Sequence, residues 1–407
     1  MNKAANKAAN KAGAERKTEI LVLGAGYAGL AAAMSLAGRT RRRGGVHLTL
    51  VNPQQRFTER MRLQQTASGQ ETAELQLPEL LAGTGVDFVE GWVTAIDTGA
   101  RTVRIDDERT LPYDTLVYAL GSVADTDRVP GVDAHAHTLD SAQAAGQLAT
   151  ALGGLAAGST VVVGGTGLTG VESAAEIAER HPQLAVVLLG RTEPGAAMGA
   201  KARSHLAAGL RRLGVRVRTG VEIAKVRPGA VDLVGGESVP ADAVLWTGGV
   251  RVSPLAAAAG LTVDERGRIV TDPWLRSVSH PEVYAIGDAA AVQQGYGQVH
   301  GTCQSGMPTG AYAADAIARA LRGRKAGPFR FGYLYQAVSL GRHDAVVQFT
   351  RADDTPGRFA LTGRAAVRFK KAVTKAPWEV YGRIRRYGAG TASLWRQGGR
   401  ATKVTDS

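Results

Sequence analysis

Apolar residues in this chain fall in short unbroken runs rather than alternating with polar ones. Glu19-Ile20-Leu21-Val22-Leu23 is one such run, and it ends in glycines. The Ala-rich stretch from Gly29 to Leu36 has helical character, and Val46 to Val51 is a second run. Strands without alternation are buried on both faces, as in a parallel sheet, so this segment predicts a β-α-β unit. The unit recurs. Ser159 to Val163 predicts a strand, Val171 to Arg180 a helix, and Leu184 to Leu189 a strand. Further short strands are predicted at residues 86–96, 102–105, 116–119, 215–217, 243–246 and 283–286.

The expected fold class is therefore α/β, with two doubly wound Rossmann-like domains. The first is expected to span 18–138 and 262–325 discontinuously, and the second 139–261. Residues 326–357 predict a small β layer. Residues 363–387 predict a helix broken at Pro377.

Composition narrows the chemistry. The chain has 407 residues, 44% hydrophobic and 21% charged, with 52 glycines and one cysteine, Cys303. That is ordinary globular composition. A single cysteine excludes an internal disulfide, a Cys-cluster metal site and a redox Cys pair, and no metal ligands are predicted. No apolar run reaches the roughly 18 residues of a membrane span, and residues 1–17 lack a signal-peptide apolar core. The expected location is cytoplasmic. The formal charge is +13, and it sits at the ends. Residues 1–17, an Asn-Lys-Ala-Ala repeat, carry five Lys/Arg against one Glu; residues 358–407 carry twelve against two acids. The body is near neutral, which argues against a nucleic-acid surface and for attraction to something anionic at the termini. The N-terminal stretch reads as a disordered basic tail.

Two glycine loops join strand to helix. Gly24-Ala25-Gly26-Tyr27-Ala28-Gly29 and Gly165-Thr166-Gly167-Leu168-Thr169-Gly170 both have the GxGxxG pattern. Such a loop allows a tight turn, close approach of a pyrophosphate, and an anion at the helix N-terminus. The acid expected on the ribose is absent from both units. Asn52 holds that position in the first, as a ribose contact or a turn cap. In the second, Arg191 suits a 2′-phosphate and leans toward NADPH; a solvent-facing arginine is the alternative.

Four more segments carry a family resemblance. Leu116 to Gly121 resembles the "ATG" strand of two-dinucleotide flavoproteins, and Val93 to Asp97 the strand beside the FAD adenine. Asp242 to Arg251, with Thr247-Gly248-Gly249, resembles the "TGG" strand ending the NAD(P) domain. Val283 to Ala290, with Gly287-Asp288, resembles the terminal FAD motif. Together these resemble the pyridine-nucleotide-dependent FAD oxidoreductases, and most of all the type II NADH:quinone oxidoreductases.

The resemblance implies FAD on Gly24, Gly26 and Gly29, with Asn52, Val93, Gly121, Gly287 and Asp288 around it. It implies NAD(P)H on Gly165, Gly167 and Gly170, with Gly248 and Arg191. Glu172 matches an acid that sits near the nicotinamide, and Gln304 matches the first glutamine of the quinone motif. The second glutamine of that motif is replaced by Pro308. By topology Arg60, Arg62 or Gln64 comes near the flavin. The implied reaction is hydride transfer from NAD(P)H to flavin and on to a quinone or other small acceptor. Three alternatives are an acidic carrier such as ferredoxin as acceptor, a specialised flavoenzyme of small-molecule metabolism, and a slow redox sensor.

Phe369, Val373, Ala376, Val380 and Ile384 recur at helical spacing among Lys370 and other basic residues, with Trp378, Tyr381, Tyr387 and Trp395 nearby. That suits an interfacial helix on the inner face of an anionic membrane. Packing on the enzyme itself, or on the mate in a homodimer, is the alternative.

Overall fold

Parallel pairing of the first two apolar runs, with Ile20 opposite Leu48 and Val22 opposite Leu50, founds the first sheet. We describe it from a computed structural model covering residues 16–41, 43–387 and 398–402. Most of the basic N-terminal tail, and Trp395, lie outside the described residues.

Five parallel strands make this sheet, in the order Val283–Ala285, Thr115–Tyr118, Thr18–Leu23, Val46–Asn52, Asp87–Glu90. The chain leaves it, builds a second sheet, and returns to add Val283–Ala285 at the edge. The second sheet runs Arg216–Arg218, Ala185–Leu189, Thr160–Gly164, Ala243–Trp246, again all parallel. The central strands of both are almost wholly buried, which is why their sequences do not alternate.

The Tyr27–Thr40 helix is buried along nearly its whole length. It packs against the Cys303–Ala320 helix so closely that a Cβ at Gly310 would fall 2.1 Å from the Ala28 carbonyl oxygen. Two helices approach this far only when small residues face each other, and that accounts for the alanines.

Two expectations need correcting. The stretch predicted as one strand over 86–96 is two. Asp87–Glu90 belongs to the large sheet, and Val93–Asp97 to a separate antiparallel sheet with Thr102–Ile105 and Arg109–Pro112. Gly91 makes the break at φ 154°, where a Cβ would strike Asp106 and Ile105. The helix predicted to break at Pro377 does not; it runs unbroken as Gly363–Tyr387. Proline removes one backbone donor, and packing of the flanking turns outweighs that loss.

Tyr335–Ser339, Ala345–Thr350 and Pro356–Thr362 form the expected antiparallel layer. Val338 and Val346 join the core of the second sheet, while Ala345 and Val347 face Ala366 of the long helix. That helix starts on the β layer, with Phe369 edge-on to Tyr335 and Phe349. It ends on the first sheet's core, where Tyr381 and Ile384 are buried. Its apolar stripe therefore faces the enzyme, and Ala376, expected in the stripe, is exposed. The charged positions the helix offers solvent are Arg364, Arg368, Lys371, Lys375, Arg383, Arg385 and Arg386 against one acid, Glu379.

Candidate functional site

Both glycine loops have the geometry their sequences require. A Cβ on Gly29 would lie 1.8 Å from the Gly24 carbonyl oxygen, and one on Gly170 would lie 1.9 Å from that of Gly165. Gly24 (φ 93°) and Gly165 (φ 119°) also take conformations that favour glycine. Gly26 and Gly167 differ: a Cβ on either would meet nothing within 4 Å. Each is the N-cap of the following helix, and neither helix has a side-chain cap. By contrast the helices at Ala142 and Cys303 are capped by Ser141 and Thr302. Open glycines at two bare helix N-termini fit the pyrophosphates of two dinucleotides.

Around the first loop, Asn52 Oδ1 accepts from the Ala25 amide at 2.9 Å, and its Nδ2 donates to the Gln54 carbonyl at 2.8 Å. The side chain thus ties the loop to the next turn. The Gly91 amide donates to the Asn52 carbonyl, which brings the start of the Val93 strand to this corner. Asp288 accepts from Ser122 Oγ at 2.7 Å, one residue beyond Gly121. Gly287, at φ 66°, donates its amide to Thr309 Oγ1. These groups would hold FAD, whose flavin, when bound, supplies the two-electron chemistry.

Around the second loop, Thr247 Oγ1 donates to the Gly164 carbonyl at 3.0 Å, and Gly248 lies against the Trp246 ring. Arg191 is exposed just past the Ala185–Leu189 strand. Preceding it, Gly190 has little room for a side chain, because a Cβ would lie 2.5 Å from Thr166 Oγ1. The nearby Glu193 accepts from Thr219 Oγ1 at 2.8 Å.

The second loop lines a cavity of about 820 Å³. Thr166 to Thr169, Thr192, Glu193 and Thr247 form its nucleotide wall; His300 to Gln304, Tyr333, Tyr335 and Asp354 form the wall opposite. Arg60, Met61 and Gln64 close a third side. Arg60 is held there by its bond to the Ser122 carbonyl at 2.7 Å. Arg62 turns away to Glu59 and Gln65.

Glu172 lies at the cavity edge, and its partner is Lys370 of the long helix, which the sequence had placed on a basic surface. The Lys370 ammonium contacts the Glu172 carboxylate and also donates to the Ala337 carbonyl at 3.3 Å. Glu172 accepts from the Ser339 amide at 2.7 Å and from Gln64 Nε2 at 3.2 Å. Burial pushes the Lys370 ammonium down to about 7.

Gln304 lines the cavity with its amide already engaged. Nε2 donates to the Tyr335 carbonyl at 2.9 Å and Oε1 accepts from the Leu334 amide at 2.7 Å. It fastens the Cys303–Ala320 helix to the β layer. Burial pushes the neighbouring Cys303 thiol up to about 12, so it is not a nucleophile at neutral pH. Lys370, His300, Tyr333, Tyr335 and Asp354 are cavity residues that sequence reasoning did not single out as a site. Among the described residues no cluster of three or more His, Cys, Asp or Glu could hold a metal, and no helix is long and apolar enough to cross a membrane.

Known proteins resemble this chain in sequence and in fold. A family model described as pyridine nucleotide-disulphide oxidoreductase matches residues 18–306. An NADH dehydrogenase-like protein of Mycobacterium tuberculosis is 33% identical over 350 residues, spanning 81% of this chain and 87% of its own. A type II NADH:quinone oxidoreductase of Staphylococcus aureus is 29% identical over 364 residues, spanning 82% and 90%. The solved sulfide:quinone oxidoreductase of Aquifex aeolicus shares the fold, with TM-score 0.76, 18% identity and 93% of each chain covered. The protein is an FAD- and NAD(P)H-dependent oxidoreductase. The chain belongs to the pyridine nucleotide-disulphide oxidoreductase family.

Proposed function

We propose that the enzyme oxidises NAD(P)H and delivers the electron pair to a quinone. The observation that carries this reading is the cavity of about 820 Å³ that the second glycine loop lines on one side and that the Cys303–Ala320 helix, the β layer and the long helix line on the far side. One ligand can enter against the nucleotide wall and another against the far wall, with the flavin between. The lone cysteine supports a diffusible acceptor, because no dithiol can be built. The relatives named as quinone reductases support the same acceptor.

Within this reading Gly24, Gly26, Gly29, Asn52, Val93, Gly121, Gly287 and Asp288 hold FAD. Gly165, Gly167, Gly170, Gly248 and Arg191 hold the nicotinamide nucleotide. Glu172, tied to Lys370, stands beside the reacting groups. Gln304 is a positioning residue, because both ends of its amide are spent on backbone. The exposed basic ridge from Arg364 to Arg386 approaches an anionic membrane through charge, since the apolar stripe is buried inside.

Anaerobic stopped-flow mixing of the flavin-loaded enzyme with NADH or NADPH tests the first half. Bleaching near about 450 nm, where oxidised flavins absorb, is expected. Rapid return of the colour on adding menadione is expected for the second half. No bleaching with either nucleotide overturns the dehydrogenase reading, and bleaching without return overturns the quinone.

A further inference from the structure

The far wall of the cavity holds a pair of titratable side chains that the reading above leaves unused. His300 lines the cavity just before the Cys303–Ala320 helix. Its Nε2 is 3.2 Å from Asp354 Oδ2, and its ring stacks on Tyr333 with centroids 4.3 Å apart and planes 8° off parallel. Asp354 Oδ2 also accepts from Gln336 Nε2 at 2.9 Å, while its Oδ1 is buried with no hydrogen-bond partner. The main chain is held as firmly. The His300 carbonyl accepts from Tyr333 Oη at 2.7 Å and from Ser305 Oγ at 3.1 Å. The His300 side chain is 55% exposed and that of Asp354 only 12%. One imidazole is thus clamped by a sheltered carboxylate, faces the cavity, and is open to water.

We propose that His300, oriented by Asp354, donates a proton to the acceptor as it is reduced. The proposal rests on the quinone reading. Reducing a quinone to a hydroquinone takes two electrons and two protons. A hydride equivalent delivers both electrons and one proton, and the second carbonyl oxygen needs the other proton. With Nε2 committed to Asp354, Nδ1 carries the transferable proton. Its N–H bond breaks as the O–H bond forms, and the neutral ring regains a proton from water. Asp354 fixes the orientation of the ring, the task an aspartate performs for histidine in a catalytic triad.

Other groups facing the imidazole do not replace it. Burial pushes the Tyr333 and Tyr296 hydroxyls well above the usual tyrosine range, so neither gives up a proton near neutrality. Asp288, against Gly301, is bonded to Ser122. Lys370 opens on the same cavity, but its ammonium is spent on Glu172 and the Ala337 carbonyl.

The test compares a proton-requiring acceptor, menadione, with ferricyanide, which takes single electrons and no proton. Flavin-loaded His300→Gln is expected to lose about 10²-fold in menadione turnover, the worth of a general acid. Its ferricyanide turnover should stay within about twofold, as should menadione binding followed by tryptophan quenching, the size of effect expected where the proton transfer alone is removed. Added imidazole should restore menadione turnover to His300→Ala, and Asp354→Asn should lose about tenfold. Equal loss with both acceptors, no imidazole rescue, or unchanged menadione turnover overturns the proposal. Wild-type enzyme that reduces ferricyanide but no quinone overturns the quinone reading itself, whatever the variants do.

Discussion

Tyr381, near the end of the long helix, donates its hydroxyl to the main-chain carbonyl of Tyr27, at the middle of the first glycine loop motif, at 2.9 Å. The two residues are 354 positions apart. Around the bond, Tyr27, Phe57, Trp378 and Tyr381 form a chain of edge-to-face rings, and Trp378 Nε1 donates to Glu59. The apolar end of the C-terminal helix is thus a brace on the helix that begins the FAD loop.

Tyr381→Phe removes only the hydroxyl. The loss of about 1 kcal/mol expected for a buried hydrogen bond should lower Tm by about 1–3 °C. Flavin should also dissociate faster, because the brace bears on the loop that holds it. Dialysis with absorbance readout measures this. Unchanged flavin retention would show that the brace stabilises the fold without reaching the site.

Two substitutions in the first loop should part company. Gly29→Ala drives a Cβ into the Gly24 carbonyl and should destabilise the domain. Gly26→Ala meets no protein atom, so the fold should survive while the methyl obstructs the pyrophosphate. Circular dichroism and flavin absorbance read the two properties separately. A yellow Gly26→Ala protein with wild-type affinity would remove FAD from this loop.

Lys370 predicts a pH signature. Burial holds its folded value at about 7, below the ordinary lysine value of about 10.4, so the unfolded chain binds the extra proton between those limits. Stability should therefore rise with pH across this window, by at most about 1.4 kcal/mol per pH unit, with Glu172 reducing the slope. Lys370→Met should flatten the rise. Urea melts at pH 7, 8 and 9 decide the matter, and a flat wild-type curve would contradict a depressed lysine.

Arg191 predicts nucleotide preference. An exposed guanidinium next to a glycine with little room for a side chain suits a 2′-phosphate. Arg191→Ala should raise KM for NADPH by about 10–100-fold, the worth of a charge-assisted pair, and leave NADH nearly unchanged. Equal effects on both nucleotides would make it a surface residue.

The basic ridge predicts salt-sensitive binding to vesicles containing phosphatidylglycerol. Replacing Arg368, Lys371 and Lys375 together by Gln should weaken it by about 10²-fold, at about 1 kcal/mol per charge. If vesicles are ignored and reduction of an acidic ferredoxin falls with salt instead, the ridge serves a protein carrier.

The glycine loops and the runs of the parallel sheets were legible because their causes are local. A tight turn needs glycine at a given residue, and a doubly buried strand needs apolar residues in succession. The long helix was half legible. Its period revealed a stripe, but a stripe on Phe369 and Ile384 looks the same whether lipid or protein covers it. Lys370 was illegible for a related reason: it stands among basic residues of the same kind, and only packing against the β layer withdraws it from water. His300 and Asp354 sit in loops that have no period, so nothing along the chain relates them. Asn52 and Gln304 were found by position, while the backbone atoms that occupy their amides are a tertiary matter.

The bond between Tyr381 and Tyr27 also orders events during synthesis. At about 5–20 residues per second, the ribosome finishes the brace about 20–70 s after it has made the loop the brace secures. Throughout that interval the nascent nucleotide groove lacks one of its supports, and the return strand Val283–Ala285 is missing for much of it. Secure flavin loading thus becomes a late step of biogenesis, waiting on residues made long after the loop itself.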